Sequence, residues 1–154
     1  FTPVQLGFEQ FLRQKCSSYE TWMTITHKHK TSVERARQML KEFFTHLNDN
    51  ENTFFKSHVR LYVCYDKFMS HAGIHTHVLV ARLAVTKLAQ IEKKCWAFFG
   101  NTVVKHTHED VIPYLVSKYN TGKLEHYEPL TINIRKKRGL PLTANVKQKE
   151  FYAK

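Results

Sequence analysis

Two hydrophobic periodicities divide the chain into elements. Apolar residues recur every three or four positions, as on one face of a helix, in segments 4–16, 33–47, 83–99 and 109–119. Alternating apolar and polar positions, rich in β-branched and aromatic residues, predict strands at 22–26, 59–65, 74–82 and 101–106, with a weaker pattern at 130–134. After the helix-like segment 4–16, the predicted order is β-α-β-β-α-β-α, and from about residue 123 the chain is expected to be basic and irregular.

Residues at the predicted helix ends support these boundaries. Ser32 is suited to cap the second helix, although Arg35 stands where a capping box would have Glu. Gly100 follows the third helix at a position where glycine commonly ends a helix. Because no repeat or linker interrupts the pattern, we predict a single α+β domain over residues 1–154, with an antiparallel sheet flanked by helices.

The composition is strongly basic. Lys and Arg number 24 against 13 acidic residues, and the resulting net charge of +11 favours a polyanionic partner. Nucleic acid is the first candidate. The alternatives are an anionic membrane surface and a charge that only serves solubility. The basic residues do not follow one amphipathic helix, and no apolar run approaches the roughly 20 residues that span a bilayer, so we expect no membrane partner.

The cysteines and histidines indicate which kinds of site the chain could form. Cys16, Cys64 and Cys95 are odd in number and include no Cys-x-x-Cys pair, so they predict neither a disulfide framework nor a thiolate zinc site. This usage fits a reducing, intracellular compartment. The ten histidines are many for this length, and several cluster.

His75-Thr76-His77 lies in the third predicted strand. Side chains alternate along a strand, so the two histidines share one face at roughly 7 Å, while Thr76 points into a core. Two imidazoles at that spacing can bind one divalent metal ion, although a pair of surface histidines is the simpler alternative. Asp66, at the end of the neighbouring strand, is the best candidate for a third ligand, and His71 in the connecting loop is its rival. A site that includes an oxygen ligand predicts Mg²⁺ or Mn²⁺, and the histidines favour Mn²⁺.

Two further patterns could carry chemistry. Tyr114 and Lys118 are four residues apart on the fourth helix, so the ammonium group could favour the phenolate of an attacking tyrosine, although such pairs more often only pack. The first strand ends at Thr26 and continues into a loop that holds Lys28 and Lys30. We predict that a DNA backbone lies there, with an edge strand and a solvated loop as the alternative.

Taken in order, these features resemble the HUH endonuclease superfamily, which comprises the Rep proteins of rolling-circle plasmids and single-stranded DNA viruses and their transposon relatives. The parvovirus Rep type is the most similar, because it has a His-x-His-Val-Leu-Val strand and a helical Tyr followed four residues later by Lys. The resemblance covers roughly residues 19–122. Two positions depart from the superfamily pattern. Thr76 stands where a bulky hydrophobic residue is usual, and Asp66 where a glutamate is frequent.

The resemblance implies an RRM-like sheet and a site-specific nickase of a replication initiator. A metal held by His75, His77 and Asp66 would polarise the scissile phosphate of single-stranded DNA. Tyr114, assisted by Lys118, would form a 5′-phosphotyrosine and release a 3′-hydroxyl. Hairpin or duplex origin DNA would be held by basic residues, for which the candidates are Lys105 and the run Arg135, Lys136, Lys137 and Arg138. That run could instead be a nuclear-localisation signal or a solvated tail.

Two other functions remain open. His75-Thr-His77 and His106-Thr-His108 form a crude repeat that is similar to the motifs of two-histidine RNA phosphoesterases. The chain could also be a non-enzymatic nucleic-acid-binding module whose histidines pack or bind zinc. The implied location is the host nucleus for a virus of a eukaryote, and the cytoplasm otherwise. The sequence predicts no oligomeric state.

Overall fold

A computed structural model describes residues 2–15, 19, 21–48, 54–55, 57–67, 74–81, 83, 87–106, 111–119 and 123–134. The described helices and strands confirm the α+β fold. In chain order they are α1 (Pro3–Lys15), β1 (Thr21–His27), α2 (Val33–Thr45), β2 (His58–Lys67), β3 (Ile74–Val80), α3 (Leu88–Phe98), β4 (Gly100–Lys105), α4 (Val111–Lys118) and β5 (Leu124–Asn133). No helix in this described part of the chain has the length and apolar character needed to cross a membrane.

The strands form one five-stranded sheet in the order β4-β1-β3-β2-β5, and every neighbouring pair is antiparallel. β3 is the central strand. His75 lies directly opposite Thr26 on one side and Asp66 on the other, and His77 lies opposite Thr24. Residues that are opposite one another in a ladder point to the same face of the sheet. The pairing alone therefore brings side chains from three strands together.

Helices cover both faces of the sheet. On one face, α2 and α3 pack against alternate strand residues such as Met23, Val63 and Val78, and form the larger core. On the other face, α1 and α4 pack against residues of the opposite parity such as Tyr62 and Leu79. Both layers are needed because the central strands are apolar on both faces.

The predicted start of α2 and the predicted end of α3 are confirmed. The Ser32 hydroxyl accepts a hydrogen bond from the Arg35 amide at 3.1 Å, so the cap forms without the reciprocal glutamate. Gly100 has a φ of +121°, and a Cβ at this position would lie 2.8 Å from the Thr26 carbonyl oxygen. Only glycine fits the junction between α3 and β4, both because of its conformation and because β1 approaches so closely.

Two helix predictions need correction. α3 begins at Leu88 and not at residue 83. Leu83 is buried in the core outside any helix, so packing and not helical periodicity accounts for its apolar character. In α1, Phe8 and Leu12 are buried as predicted, whereas Val4 and Phe11 are exposed by 51% and 37%. The buried stripe of this helix is narrower than the apolar pattern indicated.

The prediction of an irregular chain beyond Gly122 is wrong for residues 124–133, because β5 pairs with β2 from Leu124 onward. The weaker strand pattern at 130–134 marked only the last part of this strand. Pro129 obscured the strand in the sequence, since proline removes a ladder donor. An edge strand tolerates that loss, and β5 is an edge. Glu128 of β5 also accepts hydrogen bonds from the Tyr65 hydroxyl at 2.7 Å and from Arg37 Nε at 2.8 Å, which ties the strand to β2 and α2.

Thr76 points into the larger core, as predicted, and there it meets a buried histidine. Its hydroxyl lies 2.8 Å from His27 Nε2, and both residues are buried. Burial lowers the pKa of His27 from its ordinary 6.5 to about 4, and the neighbouring His75 and Arg35 add to the shift. His27 Nδ1 has no hydrogen-bond partner among the described residues. We therefore place the proton on Nε2, because a buried N–H without an acceptor is the costlier arrangement.

Replacing Thr76 by valine is expected to destabilise the fold. The substitution keeps the shape and leaves the His27 N–H without an acceptor, at a cost of about 1–3 kcal/mol in the free energy of unfolding. Urea unfolding at pH 7.5 measures it. The double variant His27→Leu/Thr76→Val removes both polar partners and is expected to recover most of the loss. A single variant as stable as the wild type would show that the pair contributes nothing.

His27 also makes stability depend on pH. The unfolded chain binds a proton on this residue near pH 6.5 and the folded chain only near pH 4, so the contribution is complete above 6.5 and is lost as pH falls toward 4. The expected loss across this window is about 3 kcal/mol. Between pH 7.5 and 4.5, measured with chelator, the urea midpoint of the wild type should fall more steeply than that of His27→Leu. Parallel curves would contradict the assignment.

Candidate active site

Asp66, His75 and His77 form a compact group at one end of the β2–β3 pair. One ligand atom from each residue lies within 4.8 Å of the others. His77 Nε2 is 3.1 Å from Asp66 Oδ2, and His75 Nδ1 is 3.7 Å from Asp66 Oδ1. The shared face predicted for the two histidines is confirmed, with ring centroids 6.1 Å apart. These three residues could hold a metal ion.

The burial of the carboxylate supports this interpretation. Asp66 is only 1% exposed, and its Oδ1 has no hydrogen-bond partner within the described residues. A buried carboxylate oxygen is costly unless a cation or a donor faces it. Two imidazole nitrogens and a carboxylate oxygen are also a usual donor set for a divalent ion. The residues present therefore fit a bound cation.

Two threonines of β1 orient the imidazoles. The Thr24 hydroxyl lies 3.2 Å from His77 Nδ1, and the Thr26 hydroxyl lies 3.3 Å from His75 Nε2. Each ring thus directs one nitrogen toward a threonine and the other toward Asp66. Partners of this kind fix the tautomer and the angle of a ligand imidazole. The sequence pattern indicated no role for Thr24 and linked Thr26 only to DNA, because the register of β1 against β3 is set by tertiary pairing.

Helix α4 brings Tyr114 to the same group. Its hydroxyl donates a hydrogen bond to Asp66 Oδ2 at 3.4 Å, and its ring lies 5.3 Å from the His77 ring. Burial raises the pKa of the phenol, and the negative charge of Asp66 raises it further. The Lys118 ammonium lies 5.0 Å from the centre of the phenol ring, as the spacing of four residues predicted.

The other described tyrosines do not compete for this place. Tyr19, Tyr62 and Tyr65 are buried, and Tyr119 stacks on Phe8 at 4.1 Å. Tyr127 belongs to β5 and packs against the same aromatic group, so its assignment to an irregular tail was wrong. Tyr114 is 41% exposed and is the most accessible tyrosine in the part of the chain that the structure describes.

An irregularity in the sheet lies beside Asp66. The pairing of β2 with β5 shifts between Tyr65 and Asp66, because Tyr65 faces His126 whereas Asp66 faces Leu124. One extra residue on β5 bends the strand at this point. Bulges of this kind are frequent next to functional sites, where they change the direction of a side chain.

The face of the sheet that carries the metal group continues beyond it as an open surface on β1 and β4. Opposite pairs in this ladder point the same way, so Trp22 and Lys105 share that face with Thr24 and Thr26. The Lys105 ammonium lies 5.8 Å from the centre of the Trp22 ring, and Val103 is 43% exposed. We name this surface, formed by Trp22, Thr24, Thr26, Asn101, Val103 and Lys105, the β1–β4 half-face.

The remaining predicted residues are scattered or not described. Lys28 and Lys30 are exposed in the loop after β1, next to the Thr26 end of the strand. His71, the rival third ligand, and the basic run Arg135, Lys136, Lys137 and Arg138 lie outside the described residues, as does His108. Among the described positions, the structure thus brings together Asp66, His75, His77, Tyr114 and Lys118, which were predicted from separate motifs.

If Asp66, His75 and His77 hold a metal ion, removing one of these ligands should weaken metal binding. Asp66→Ala and His77→Ala each remove a ligand, and we expect either variant to weaken Mn²⁺ binding by more than about 100-fold. Calorimetric titration with Mn²⁺ measures this, and His58→Ala serves as the control because His58 is an exposed histidine at the far end of β2. Wild-type affinity in either ligand variant would refute the site.

Comparisons of the chain with protein-family models, with curated proteins and with solved structures give no match. What this centre can do therefore follows from its own geometry and from the motifs that its residues form.

Proposed function

We propose that the chain is a metal-dependent endonuclease that nicks single-stranded DNA with Tyr114 as its nucleophile. One observation carries the proposal: the Tyr114 hydroxyl lies 3.4 Å from Asp66, inside the group of residues that could hold a metal. The Tyr114 phenol on α4, the Lys118 cation above its ring and the candidate metal group therefore lie close together. That combination suits attack on a phosphodiester.

The order of the motifs suggests which class of nuclease this is. A strand ending at Thr26, a His-x-His strand and a helical tyrosine with a lysine one turn later follow one another in the order of HUH endonucleases. We propose that the chain is the nuclease domain of a replication initiator of this type. Thr76 does not conflict with this proposal, because its hydroxyl has a buried partner in His27.

The proposed ion is Mg²⁺ or Mn²⁺, held by Asp66, His75 and His77. A carboxylate suits both cations, and two imidazoles favour Mn²⁺. When bound, such an ion supplies positive charge that draws electron density from the oxygens of a scissile phosphate. The threonines of β1 hold the imidazoles in the orientation that this requires.

In the proposed reaction the Tyr114 oxygen attacks the phosphorus and the bond to the 3′-oxygen breaks. The product is a 5′-phosphotyrosine and a free 3′-hydroxyl. The phenol proton passes to solvent, which reaches the exposed Tyr114 side chain, and the departing oxygen takes a proton from solvent. One phosphodiester replaces another, so no water is consumed. Lys118, positioned over the ring, favours the negative charge on the phenolate.

The proposed substrate path is the β1–β4 half-face. Trp22 offers a ring on which a base can stack, and Lys105 offers a cation for a phosphate. The surface is contiguous with His75 and His77 through the β1–β3 pairing. The net charge of +11 suits a single-stranded or duplex origin, and the exposed Lys28 and Lys30 would contact its backbone. Under this proposal the protein works wherever the DNA replicates, in a host nucleus or in the cytoplasm.

The two-histidine phosphoesterase is less well supported. That chemistry requires two histidines on opposite sides of one phosphate. His106 contacts Thr21 at 3.4 Å, whereas His75 contacts Thr26. These threonines occupy positions 21 and 26 of one strand, and five residues of β-strand span roughly 17 Å. His106 and His75 therefore lie too far apart to act on one phosphate.

Tyr114→Phe tests the proposed function. The variant removes the attacking oxygen and keeps the ring, so Mn²⁺ and oligonucleotide binding should remain while the covalent adduct disappears. Labelled single-stranded DNA with Mn²⁺, followed by denaturing electrophoresis and mass spectrometry of the peptide, detects the adduct. We expect Lys118→Ala to slow the reaction by roughly 10- to 100-fold without abolishing it.

Tyr119→Phe is the matched control, because it makes the same change one residue past the end of α4. It should form adduct at the wild-type rate. An adduct in Tyr114→Phe, or a nucleotide on another tyrosine, would overturn the assignment. DNA binding without any cleavage in the wild type would favour the non-enzymatic alternative.

A further inference from the structure

A glutamine at the start of the described chain makes hydrogen bonds to the end of the helix that carries Tyr114. Gln5 Nε2 in α1 donates to the Val116 carbonyl at 3.2 Å and to the Tyr119 carbonyl at 3.3 Å. More than a hundred residues of sequence separate the partners, so these contacts are purely tertiary. The Val116 carbonyl lies in the last turn of α4 and also accepts a hydrogen bond from the Tyr119 amide at 3.1 Å, and the Tyr119 carbonyl lies one residue past the end of the helix.

Helix α4 depends on such contacts for its position. It has eight residues, and isolated helices shorter than about 12 residues are marginal in water. One side packs on the sheet through Ile112, Leu115 and Val116. The C-terminal end is covered by α1, where Phe8 stacks on Tyr119 at 4.1 Å with an angle of 15° between the rings. The sheet holds one side of α4, and α1 holds its C-terminal end.

Gln5 has a second role within its own helix. Its Oε1 accepts a hydrogen bond from the Thr2 amide at 2.9 Å, and the Gln5 amide donates to the Thr2 hydroxyl at 3.2 Å. This reciprocal arrangement is a capping box, with Pro3 at the first helical position. The box orients the side-chain amide, so that its oxygen serves α1 and its nitrogen faces α4. A glutamate could replace only the first of these roles.

We propose that Gln5 is a positioning residue for Tyr114, and that α1 sets the place of the nucleophile relative to the metal group. The inference rests on the proposed function and extends it to a helix that precedes every motif of the site. Gln5 contacts neither the metal ligands nor the phenol. It acts by holding the last turn of α4, on which Lys118 also lies. Small displacements of a reacting group cost rate much more than they cost stability.

Gln5→Glu separates the two roles of the residue. The carboxylate keeps the capping box with Thr2, but it cannot donate, and it places negative charge against two carbonyl oxygens. Gln10→Glu makes the same change at an exposed position of the same helix and is the control for added charge. Gln5→Ala removes both roles.

The measurements are the single-turnover rate of adduct formation at saturating Mn²⁺ and oligonucleotide, the Kd for Mn²⁺ and the unfolding midpoint. We expect Gln5→Glu and Gln5→Ala to react roughly ten-fold more slowly than the wild type at a temperature where they are fully folded. The Kd for Mn²⁺ should not change, because the ligands lie on the sheet. Gln10→Glu should react at the wild-type rate. A purely structural role would lower the unfolding midpoint and leave this rate unchanged.

A Gln5→Glu variant that reacts at the wild-type rate would overturn the proposal, as would a loss of rate that follows a loss of Mn²⁺ affinity. If the wild type forms no adduct, the proposed function fails, and amide hydrogen exchange in α4 then tests the positioning by itself. Faster exchange in α4 of Gln5→Glu than in α4 of Gln10→Glu would support the proposal that Gln5 positions this helix. Equal exchange would refute it.

Discussion

The position of β3 between β1 and β2 is the constraint on which the rest of the site depends. Antiparallel pairing places Asp66 directly opposite His75, and Thr24 and Thr26 opposite His77 and His75. No loop has to be ordered for these side chains to meet, since the backbone ladder fixes their spacing. The conformational entropy lost when a carboxylate and two imidazoles are brought together is therefore part of the entropy lost when the sheet forms. The burial of apolar side chains in the core, which stabilises the sheet, compensates for this loss.

The two faces of β3 carry different requirements. On one face the histidines must be oriented toward Asp66, and on the other face Thr76 must be buried. The His27–Thr76 hydrogen bond meets the second requirement with a polar pair that is satisfied inside the core. A strand that is polar on both faces is unusual at the centre of a sheet. The Thr76 hydroxyl thus has a partner on one face, whereas on the other face Asp66 Oδ1 has none among the described residues, which fits a bound cation.

Tyr114 reaches the metal group by a different route. Its helix is short, and packing against the sheet and the contacts from α1 hold it in place. The candidate metal ligands are thus held rigidly by the strand pairing. The proposed nucleophile lies on α4, whose position depends on side chains that are distant in sequence. The accessible edge of the site is the β1–β4 half-face, where Lys105 and Val103 are exposed and Trp22 is partly buried against the smaller core.

The sequence by itself determined the elements up to α4, the parity of each strand and the candidate residues. Periodicity, the Ser32 cap and Gly100 are local signals that survive in the folded chain. It revealed only the last part of β5, as the weaker pattern at 130–134, because Pro129 breaks a local pattern that an edge strand tolerates. Nor could it assign Thr24, His27 or Gln5, although Thr2 and Gln5 have the spacing of a capping box. The partners of these residues are set by strand register and helix packing, which arise only when distant segments meet in the tertiary structure.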